Sequence, residues 1–279
     1  MSNLPNVSII TINLNNGSGL LKTIESVVNQ VFMDYEFLVI DGASSDGSVD
    51  IIKSNSNRIT YWVSEPDRGI YHAMNKGIVY AKGKYCLFLN SGDWLIDKYV
   101  LERCFKNTQT SDLLIGGCQV SKNGSIVHTF MPTKELTLQS FYHATIPHQA
   151  TFIKKECFTQ LGNYNESYKI HGDYDLWIRS VIINHCSITA LDCVVADYNL
   201  EGISNTHENS LQSREEIQQI LQLAFPKRVL ADYEFWRVKS DELRLWEWIK
   251  SKKILYGIIA FIYNRAVEIV SLKRKLKLP

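Results

Sequence analysis

The sequence predicts an α/β protein with a doubly wound sheet, followed by a helical C-terminal extension. Over the first 95 residues, short apolar and β-branched segments alternate with segments whose apolar residues recur at helical spacing. Strand–helix alternation at this spacing is typical of a largely parallel sheet covered by helices. From Leu211 onward the apolar spacing becomes helical.

Four strands alternate with three helices in the first part of the chain. The strands are predicted at 7–13, 35–40, 59–64 and 85–89, and the helices at 18–30, 48–54 and 70–81. The strand at 85–89 is a continuous apolar run, which is typical of a strand buried on both faces. Further along, strands are predicted at 112–120, 125–130, 150–154 and 188–198, and a helix from Asp173.

Composition and charge describe an ordinary globular protein. The chain has 279 residues, 45% hydrophobic and 21% charged, with a net charge of +1, so bulk charge gives no reason to expect a nucleic-acid partner. The segment 226–279 nevertheless carries 13 Lys/Arg against 6 Asp/Glu, a net charge of +7. A basic, Trp-containing tail on a mildly acidic body favours an anionic surface as partner, with a helical cap as the alternative.

The six cysteines indicate reduced thiols. They are scattered, no two form a C-x-x-C, and no Cys/His spacing matches a zinc site. This pattern favours a cytosolic compartment. The N-terminal residues have neither the charge nor the apolar run of a signal peptide, and no apolar run reaches transmembrane length.

Polar residues and one glycine lie at or just after the ends of the first four predicted strands. In chain order they are Thr11, Asn13, Asp41, Asp67, Arg68, Asn90, Ser91, Gly92 and Asp93. The carboxyl ends of parallel strands share one edge, where open α/β sheets bind ligands. Singly, Asp41 also fits a turn former and Asp67–Arg68 a solvated pair. Together they favour a nucleotide site, and the absence of G-x-G-x-x-G and P-loop motifs excludes the commonest dinucleotide and ATP folds.

Four motifs resemble family 2 glycosyltransferases, in particular the branch that builds bacterial O-antigen and capsule repeats. They are Val-Ser-Ile-Ile-Thr-Ile-Asn at 7–13, Leu-Val-Ile-Asp-Gly-Ala-Ser-Ser-Asp-Gly-Ser at 38–48, Ser-Glu-Pro-Asp-Arg-Gly-Ile-Tyr-His-Ala-Met-Asn-Lys-Gly at 64–77 and Leu-Phe-Leu-Asn-Ser-Gly-Asp at 87–93. The resemblance covers about residues 5–205. It implies a GT-A fold, a nucleotide-sugar donor, a divalent cation (Mn²⁺ or Mg²⁺) and inversion at the anomeric carbon.

The resemblance also implies residue roles on the donor side. It places Thr11, Asn13, Asp41, Asp67 and Arg68 around the uridine. The turn formed by Asn90, Ser91 and Gly92 would approach the sugar nucleotide, with Asp93 as the metal ligand. The chain departs from the family's D-x-D motif, because Asn90 stands where the first carboxylate often is. His72 likewise stands where this branch often has Asp.

A second motif, His-Gly-Asp-Tyr-Asp-Leu-Trp at 171–177, resembles the family's catalytic motif. By this resemblance Asp173 is the general base, and Gly172 replaces the usual Glu. His148 and Gln149 resemble a pair that lines the acceptor side. The alternatives are a plain helix cap for Asp173 and a loop histidine for His148.

The sequence therefore predicts a GT-A catalytic domain at 1–205, with a donor half at 1–95 and an acceptor half at 96–205, and a helical extension at 206–279. Within the extension, Ser213–Glu216 resembles a capping box. His207 is a less favoured addition to the metal shell.

The expected activity is transfer of a hexose or N-acetylhexosamine from a UDP-sugar to a lipid-linked glycan in O-antigen or capsule synthesis. The expected location is the inner face of the cytoplasmic membrane, with a homo-oligomer possible. The alternatives are a dTDP- or GDP-sugar donor, or a non-catalytic nucleotide-sugar-binding or assembly subunit.

Overall fold

The computed structural model describes residues 4–122, 125–133, 135–142, 145–199 and 210–275. The chain divides into two compact units, Met1–Ala224 and Phe225–Pro279. The helix at 210–224 thus belongs to the first unit, although the sequence placed the boundary at 205. His207 and the Gly-Ile-Ser segment around it lie outside the described residues.

The first unit is built on a nine-stranded mixed sheet. The strands are β1 Val7–Asn13, β2 Tyr35–Asp41, β3 Tyr61–Ser64, β4 Tyr85–Phe88, β5 Trp94–Leu95, β6 Leu113–Lys122, β7 Ser125–Phe130, β8 Thr151–Lys154 and β9 Ile188–Asn199. Their order is β3-β2-β1-β4-β8-β6-β9-β5, with β7 paired to β6. The first four strands run parallel, as the sequence predicted, and β8 joins them antiparallel through β4.

Seven helices belong to this unit within the described residues. They are α1 Gly17–Val28, α2 Ser48–Ser54, α3 Ile70–Tyr80, α4 Val100–Phe105, α5 Lys155–Leu161, α6 Gly172–Trp177 and α7 Ser210–Ala224. A π-helical segment, Ile178–Ile183, continues α6. The alternation of β1–α1–β2–α2–β3–α3–β4 explains why hydrophobic periodicity located these elements well.

Strand register brings the predicted donor residues to one edge. Asn13, the last residue of β1, is aligned with Asp41, the last of β2, which is aligned with Ser64, the last of β3. Helix α3 packs closely on β1, since a Cβ at Gly77 would lie 2.4 Å from the Ile10 side chain. Glycine at this position therefore sets how near α3 approaches the sheet.

The second unit consists of two long helices, α8 Lys227–Ser251 and α9 Lys253–Lys275. Both present large apolar side chains to solvent. Examples are Phe235, Trp236 and Trp248 on α8 and Ile254, Phe261 and Tyr263 on α9. No helix in the described ranges is both long and apolar enough to span a membrane.

Candidate active site

The ends of β1, β2 and β3 are joined by a hydrogen-bond network around Asp41. Asn13 Nδ2 donates to Asp41 Oδ1 at 2.8 Å, and Ser64 Oγ donates to Asp41 Oδ2 at 2.6 Å. Ser44 donates to the same carboxylate through its backbone N–H and its hydroxyl. Burial alone would raise the pKa of Asp41, but these hydrogen bonds outweigh it and lower that pKa. Asp41 is therefore a fully buried carboxylate that organises this edge.

One acceptor in this network has no partner. Asn13 Oδ1 is buried without a hydrogen bond, next to the Asp41 carboxylate. Buried unsatisfied polar atoms are uncommon and often indicate a ligand position. Thr11 differs, because its hydroxyl is buried and donates to the Leu89 carbonyl at 2.7 Å. This hydrogen bond joins β1 to the residue that follows β4, so Thr11 has a structural role at this edge of the sheet.

Asp67 and Arg68 precede α3 and face different partners. Asp67 Oδ1 accepts from Lys76 Nζ at 2.6 Å and lies 3.1 Å from His72 Nδ1. The Arg68 guanidinium lies 2.7 Å from Glu166 and its side chain is 73% exposed. Asp67 is thus part of a compact charged cluster, whereas Arg68 is open to solvent. His72, which replaces the usual Asp, takes its place in the cluster with Asp67.

The turn after β4 is held by Thr23 of α1. Its hydroxyl accepts from the Gly92 N–H at 3.0 Å and donates to the Asp93 carbonyl at 2.7 Å. Gly92 has φ +102°, which disfavours other residues there. Asn16, the N-cap residue of α1, also donates to the Ser91 carbonyl at 3.0 Å. Helix α1 therefore fixes the backbone of the turn, and the Asp93 residue is 6% exposed.

The predicted acceptor side joins residues that are far apart in sequence. Asn90 Nδ2 lies 3.2 Å from His148 Nε2, and His148 Nδ1 lies 3.5 Å from Asp173 Oδ2. The other oxygen, Asp173 Oδ1, accepts from the Tyr174 N–H at 2.8 Å and lies 3.5 Å from the Tyr71 hydroxyl. The predicted base and the D-x-D-like turn are thus linked through one imidazole.

The carboxylates around His148 raise its pKa. Burial lowers it, but the hydrogen bond and negative charge of Asp173, with the charge of Asp93, outweigh burial. Burial, followed by the charge of Asp173, holds the pKa of Tyr71 well above its ordinary value. Gln149 is 5% exposed beside His148. The side chains of His148 and Asp173 retain 18% and 13% exposure, so both are partly accessible to solvent.

The Tyr71 ring packs against the backbone of Gly172. A Cβ at Gly172 would lie 2.7 Å from the Tyr71 ring. The Tyr71 hydroxyl donates to the Ile170 carbonyl at 2.6 Å, in the loop before α6. The ring therefore occupies space that any side chain at position 172 would need, which accounts for glycine where the family usually has Glu.

Glu216 of α7 holds the loop that carries Asp173, and sequence reasoning missed this role. Its carboxylate accepts the backbone N–H groups of Lys169, Ile170 and His171 at 2.9–3.0 Å. The predicted capping box is wrong: α7 begins at Ser210, so Ser213 and Glu216 lie inside it. Ser213 Oγ instead lies 2.7 Å from His171 Nε2. The local spacing of Ser213 and Glu216 resembles a helix cap. The role of Glu216 could be found only from information on which distant residues are in contact.

The donor set for a cation is small. Among the described residues no cluster of three or more His, Cys, Asp or Glu could hold a metal ion. Asp93 is the carboxylate on the turn, and Asn90 Oδ1 is a buried amide oxygen without a hydrogen bond. Hard cations such as Mg²⁺ accept few protein oxygens when phosphate and water complete the shell. The residues therefore fit a cation held mainly by a bound diphosphate.

Comparison with known proteins establishes the family. The sequence profile of Glycosyl transferase family 2 matches residues 8–173, and the chain belongs to this family. A PGL/p-HBAD biosynthesis glycosyltransferase of Mycobacterium bovis is 32% identical over 211 residues, covering 72% of this chain and 80% of that protein. An uncharacterised glycosyltransferase of Mycobacterium tuberculosis is 29% identical over 225 residues, covering 75% and 81%. The chain is thus a glycosyltransferase.

Solved structures establish the GT-A fold. Staphylococcus aureus TarS 1–349 in complex with UDP-GlcNAc matches with a TM-score of 0.57 at 18% identity, over 74% of this chain and 61% of that chain. The mannosyltransferase PcManGT of Pyrobaculum calidifontis, in complex with GDP-Man and Mn²⁺, matches with a TM-score of 0.53 at 16% identity, over 71% and 57%. The predicted fold class is confirmed.

Proposed function

We propose that this protein is an inverting, metal-dependent glycosyltransferase that moves a hexose or N-acetylhexosamine from a UDP-sugar to a lipid-linked glycan. The observation that carries the proposal is the link between Asp173 and the turn of Asn90–Asp93 through His148. It joins a carboxylate suited to proton abstraction with a turn suited to a diphosphate. Synthesis of a bacterial surface polysaccharide such as O-antigen or capsule is the pathway we propose for it.

Asp173 takes the proton from the acceptor hydroxyl as that oxygen attacks the anomeric carbon. A single base positioned within hydrogen-bond reach of the nucleophile suffices for direct displacement with inversion. The partial exposure of His148 and Asp173 gives the acceptor access. His148 and Gln149 line this approach. The Tyr174 N–H holds the Asp173 carboxylate in place, and Tyr71 holds the preceding loop through the Ile170 carbonyl.

Asp93 would hold the cation, Mn²⁺ or Mg²⁺, against the donor diphosphate. When bound, the cation neutralises the charge that develops on the departing nucleoside diphosphate. One protein carboxylate predicts weak metal affinity in the absence of donor. Asn13, with its unpartnered oxygen above Asp41, is suited to an N–H of the base, and Arg68 to a phosphate or base face.

A UDP-sugar is the donor that the solved structures favour, since TarS was crystallised with UDP-GlcNAc. PcManGT was crystallised with GDP-Man, so a GDP-sugar is the second candidate, followed by a dTDP-sugar. A non-catalytic sugar-nucleotide-binding subunit is the alternative of a different class. It is favoured only by the Asn at position 90, where the family often has a carboxylate.

The acceptor and location rest on the second unit. Its exposed aromatic and aliphatic side chains, together with the net charge of +7 over 226–279, suit the plane of an anionic bilayer. We therefore place the enzyme at the cytoplasmic face of the membrane, where lipid-linked glycans are built. The full chain should sediment with vesicles of phosphatidylglycerol and phosphatidylcholine but not with phosphatidylcholine alone. Equal sedimentation with both would contradict this placement.

The activity is tested by incubating the full chain with a panel of UDP-, GDP- and dTDP-sugars and Mn²⁺, and measuring sugar transfer to a membrane lipid extract and donor hydrolysis. Asp173→Ala and Asp93→Ala are run alongside. We expect turnover with a UDP-sugar and its loss in both variants. Full turnover in both would refute the assigned roles. Donor binding without turnover by any donor would favour the binding subunit.

A metal titration separates the proposed metal-binding role of Asp93 from the proposed role of Asp173 as the base. Isothermal calorimetry with UDP should show Mn²⁺-dependent binding in the unaltered protein and in Asp173→Ala. In Asp93→Ala the dependence on Mn²⁺ should be lost. Donor binding that is indifferent to Mn²⁺ in the unaltered protein would exclude Asp93 as a metal ligand.

A further inference from the structure

The imidazole of His148 lies between an amide and a carboxylate. Asn90 Nδ2 is 3.2 Å from its Nε2, and Asp173 Oδ2 is 3.5 Å from its Nδ1. The Asn90 backbone is fixed by the turn, because its carbonyl accepts from the Asp93 N–H at 2.9 Å. His148 itself begins a short 3₁₀ turn after Pro147. The side chains of Asn90 and His148 thus extend from backbone that is held by hydrogen bonds.

Hydrogen-bonding capacity allows one arrangement of protons in the neutral ring. An ionised Asp173 can only accept, so the ring proton must be on Nδ1. Nε2 is then an acceptor and needs a donor, which the Asn90 amide supplies. An aspartate at position 90 could only accept, so no neutral histidine would satisfy both neighbours. Asparagine at position 90, in place of the family's carboxylate, therefore allows a neutral His148 to bond Asn90 through Nε2 and Asp173 through Nδ1–H.

We infer that Asn90 is a positioning residue, which fixes His148 as its Nδ1–H tautomer and thereby orients the proposed base Asp173. This inference rests on the proposed role of Asp173. It gives position 90 a task on the acceptor side of the site, in place of the metal-binding task of a D-x-D carboxylate. We expect the 3.5 Å contact to shorten when acceptor binds, because hydrogen bonds of apo active sites are commonly long.

The tautomer is measured directly by long-range ¹H–¹⁵N NMR of the full chain with ¹⁵N-labelled histidine at pH 8.5. The chain has seven histidines, and the His148 signals are assigned by their loss in His148→Asn. We expect a protonated Nδ1 and an unprotonated Nε2 in the unaltered protein. We expect protons on both nitrogens in Asn90→Asp. An Nε2–H tautomer in the unaltered protein, or an unchanged spectrum in Asn90→Asp, overturns the inference.

Two substitutions of His148 distinguish positioning from general packing. Asparagine places an amide N–H near the position of Nδ1, and glutamine places one near the position of Nε2. We expect both variants to lose kcat, and His148→Gln to lose about 10- to 100-fold more than His148→Asn, because misplacement of a catalytic group costs rate. Equal loss in both variants would mean a merely structural role and would overturn the inference.

Asn90→Asp also separates this inference from a metal role at position 90. A carboxylate that served the cation would raise turnover or Mn²⁺ affinity. A carboxylate that disturbs the histidine tautomer misplaces the base and lowers kcat by about 10-fold or more. A rise in kcat would overturn the inference. The NMR result does not depend on turnover, so failure of the proposed activity and failure of the tautomer assignment are told apart.

Discussion

The proposed donor edge and the proposed acceptor side of the site are built in opposite ways. At the donor edge, Asn13, Asp41 and Ser64 end three adjacent strands and are joined by hydrogen bonds of 2.6–2.8 Å. On the acceptor side, Asn90, His148 and Asp173 come from distant segments and lie 3.2–3.5 Å apart. The donor edge is held by short hydrogen bonds before ligand binds, and Asn13 Oδ1 is left without a partner. The acceptor side has room to tighten around a substrate.

This difference follows from backbone pairing. Parallel strands in register bring their carboxyl ends together automatically, so side chains there need only short reach. His148 instead precedes a strand that joins the sheet antiparallel, and Asp173 is the second residue of a six-residue helix. Their approach depends on α7 and on Tyr71, which hold the loop at 169–171. Mutations should therefore affect stability more at the donor edge and rate more on the acceptor side.

The largest effect is expected at Asp173. Asp173→Asn keeps the size of the side chain and its bond with the Tyr174 N–H but cannot accept a proton. We expect kcat to fall by about 1,000-fold, within the range of general acid–base contributions, with donor affinity unchanged. Asp175→Asn is the matched control, because Asp175 pairs with Arg179 in the same helix. Comparable loss in both would show that the helix, and not the base, had been damaged.

The next largest effect is expected at Glu216. Glu216→Ala removes the acceptor of three backbone N–H groups directly before Gly172 and Asp173. The loop then loses its anchor, and kcat should fall by about 10- to 100-fold, since small displacements of a base are costly. Gln212→Ala removes a single bond to the same carboxylate and serves as control. Steady-state kinetics, with circular dichroism to check folding, measure the difference.

Sequence reasoning correctly brought Asn13 and Asp41 to one edge of the sheet, but it missed the residues that support the proposed acceptor side. Periodicity and turn residues placed Asn13 and Asp41 because their neighbours along the sheet follow from chain order. Glu216 was read as a capping residue, since its spacing from Ser213 matches a local motif. No local pattern reveals a carboxylate that anchors a loop 45 residues or more away. The match of Gly172 with Tyr71 is equally invisible in one sequence.

The turn at 90–93 also has one feature that the sequence predicts and one that it does not. Its position at the end of a buried strand was predictable, and its backbone support by Thr23 was not. The strand β5 that follows has only two residues and pairs with β9, so it has no periodicity to detect. Pairing partners that are remote in sequence account for what was missed in both places.

Asp41 should affect stability more than catalysis. Asp41→Asn removes the charge that Ser44, Ser64 and Asn13 surround, so we expect the free energy of unfolding to fall by about 2 kcal/mol. The lowered pKa of Asp41 means that its charge stabilises the fold above the unfolded carboxyl pKa of about 3.9 and that this stabilisation is lost as pH falls through the lower folded value. Urea unfolding at pH 7 and pH 3 should show the difference between variant and parent shrinking in acid. A difference independent of pH would contradict this account.

The smallest effect is expected at Arg68, and it separates donor binding from folding. The Arg68–Glu166 pair is exposed, so Arg68→Ala should change the free energy of unfolding by less than about 1 kcal/mol. If the guanidinium meets the donor, donor KM should rise by about 10-fold, the loss of one charged hydrogen bond, with kcat unchanged. Glu166→Gln weakens the same ion pair but keeps the guanidinium, and donor KM should then stay near that of the parent. An equal rise of KM in both variants would mean that the pair acts as a structural brace and that the donor edge ends at Asp67.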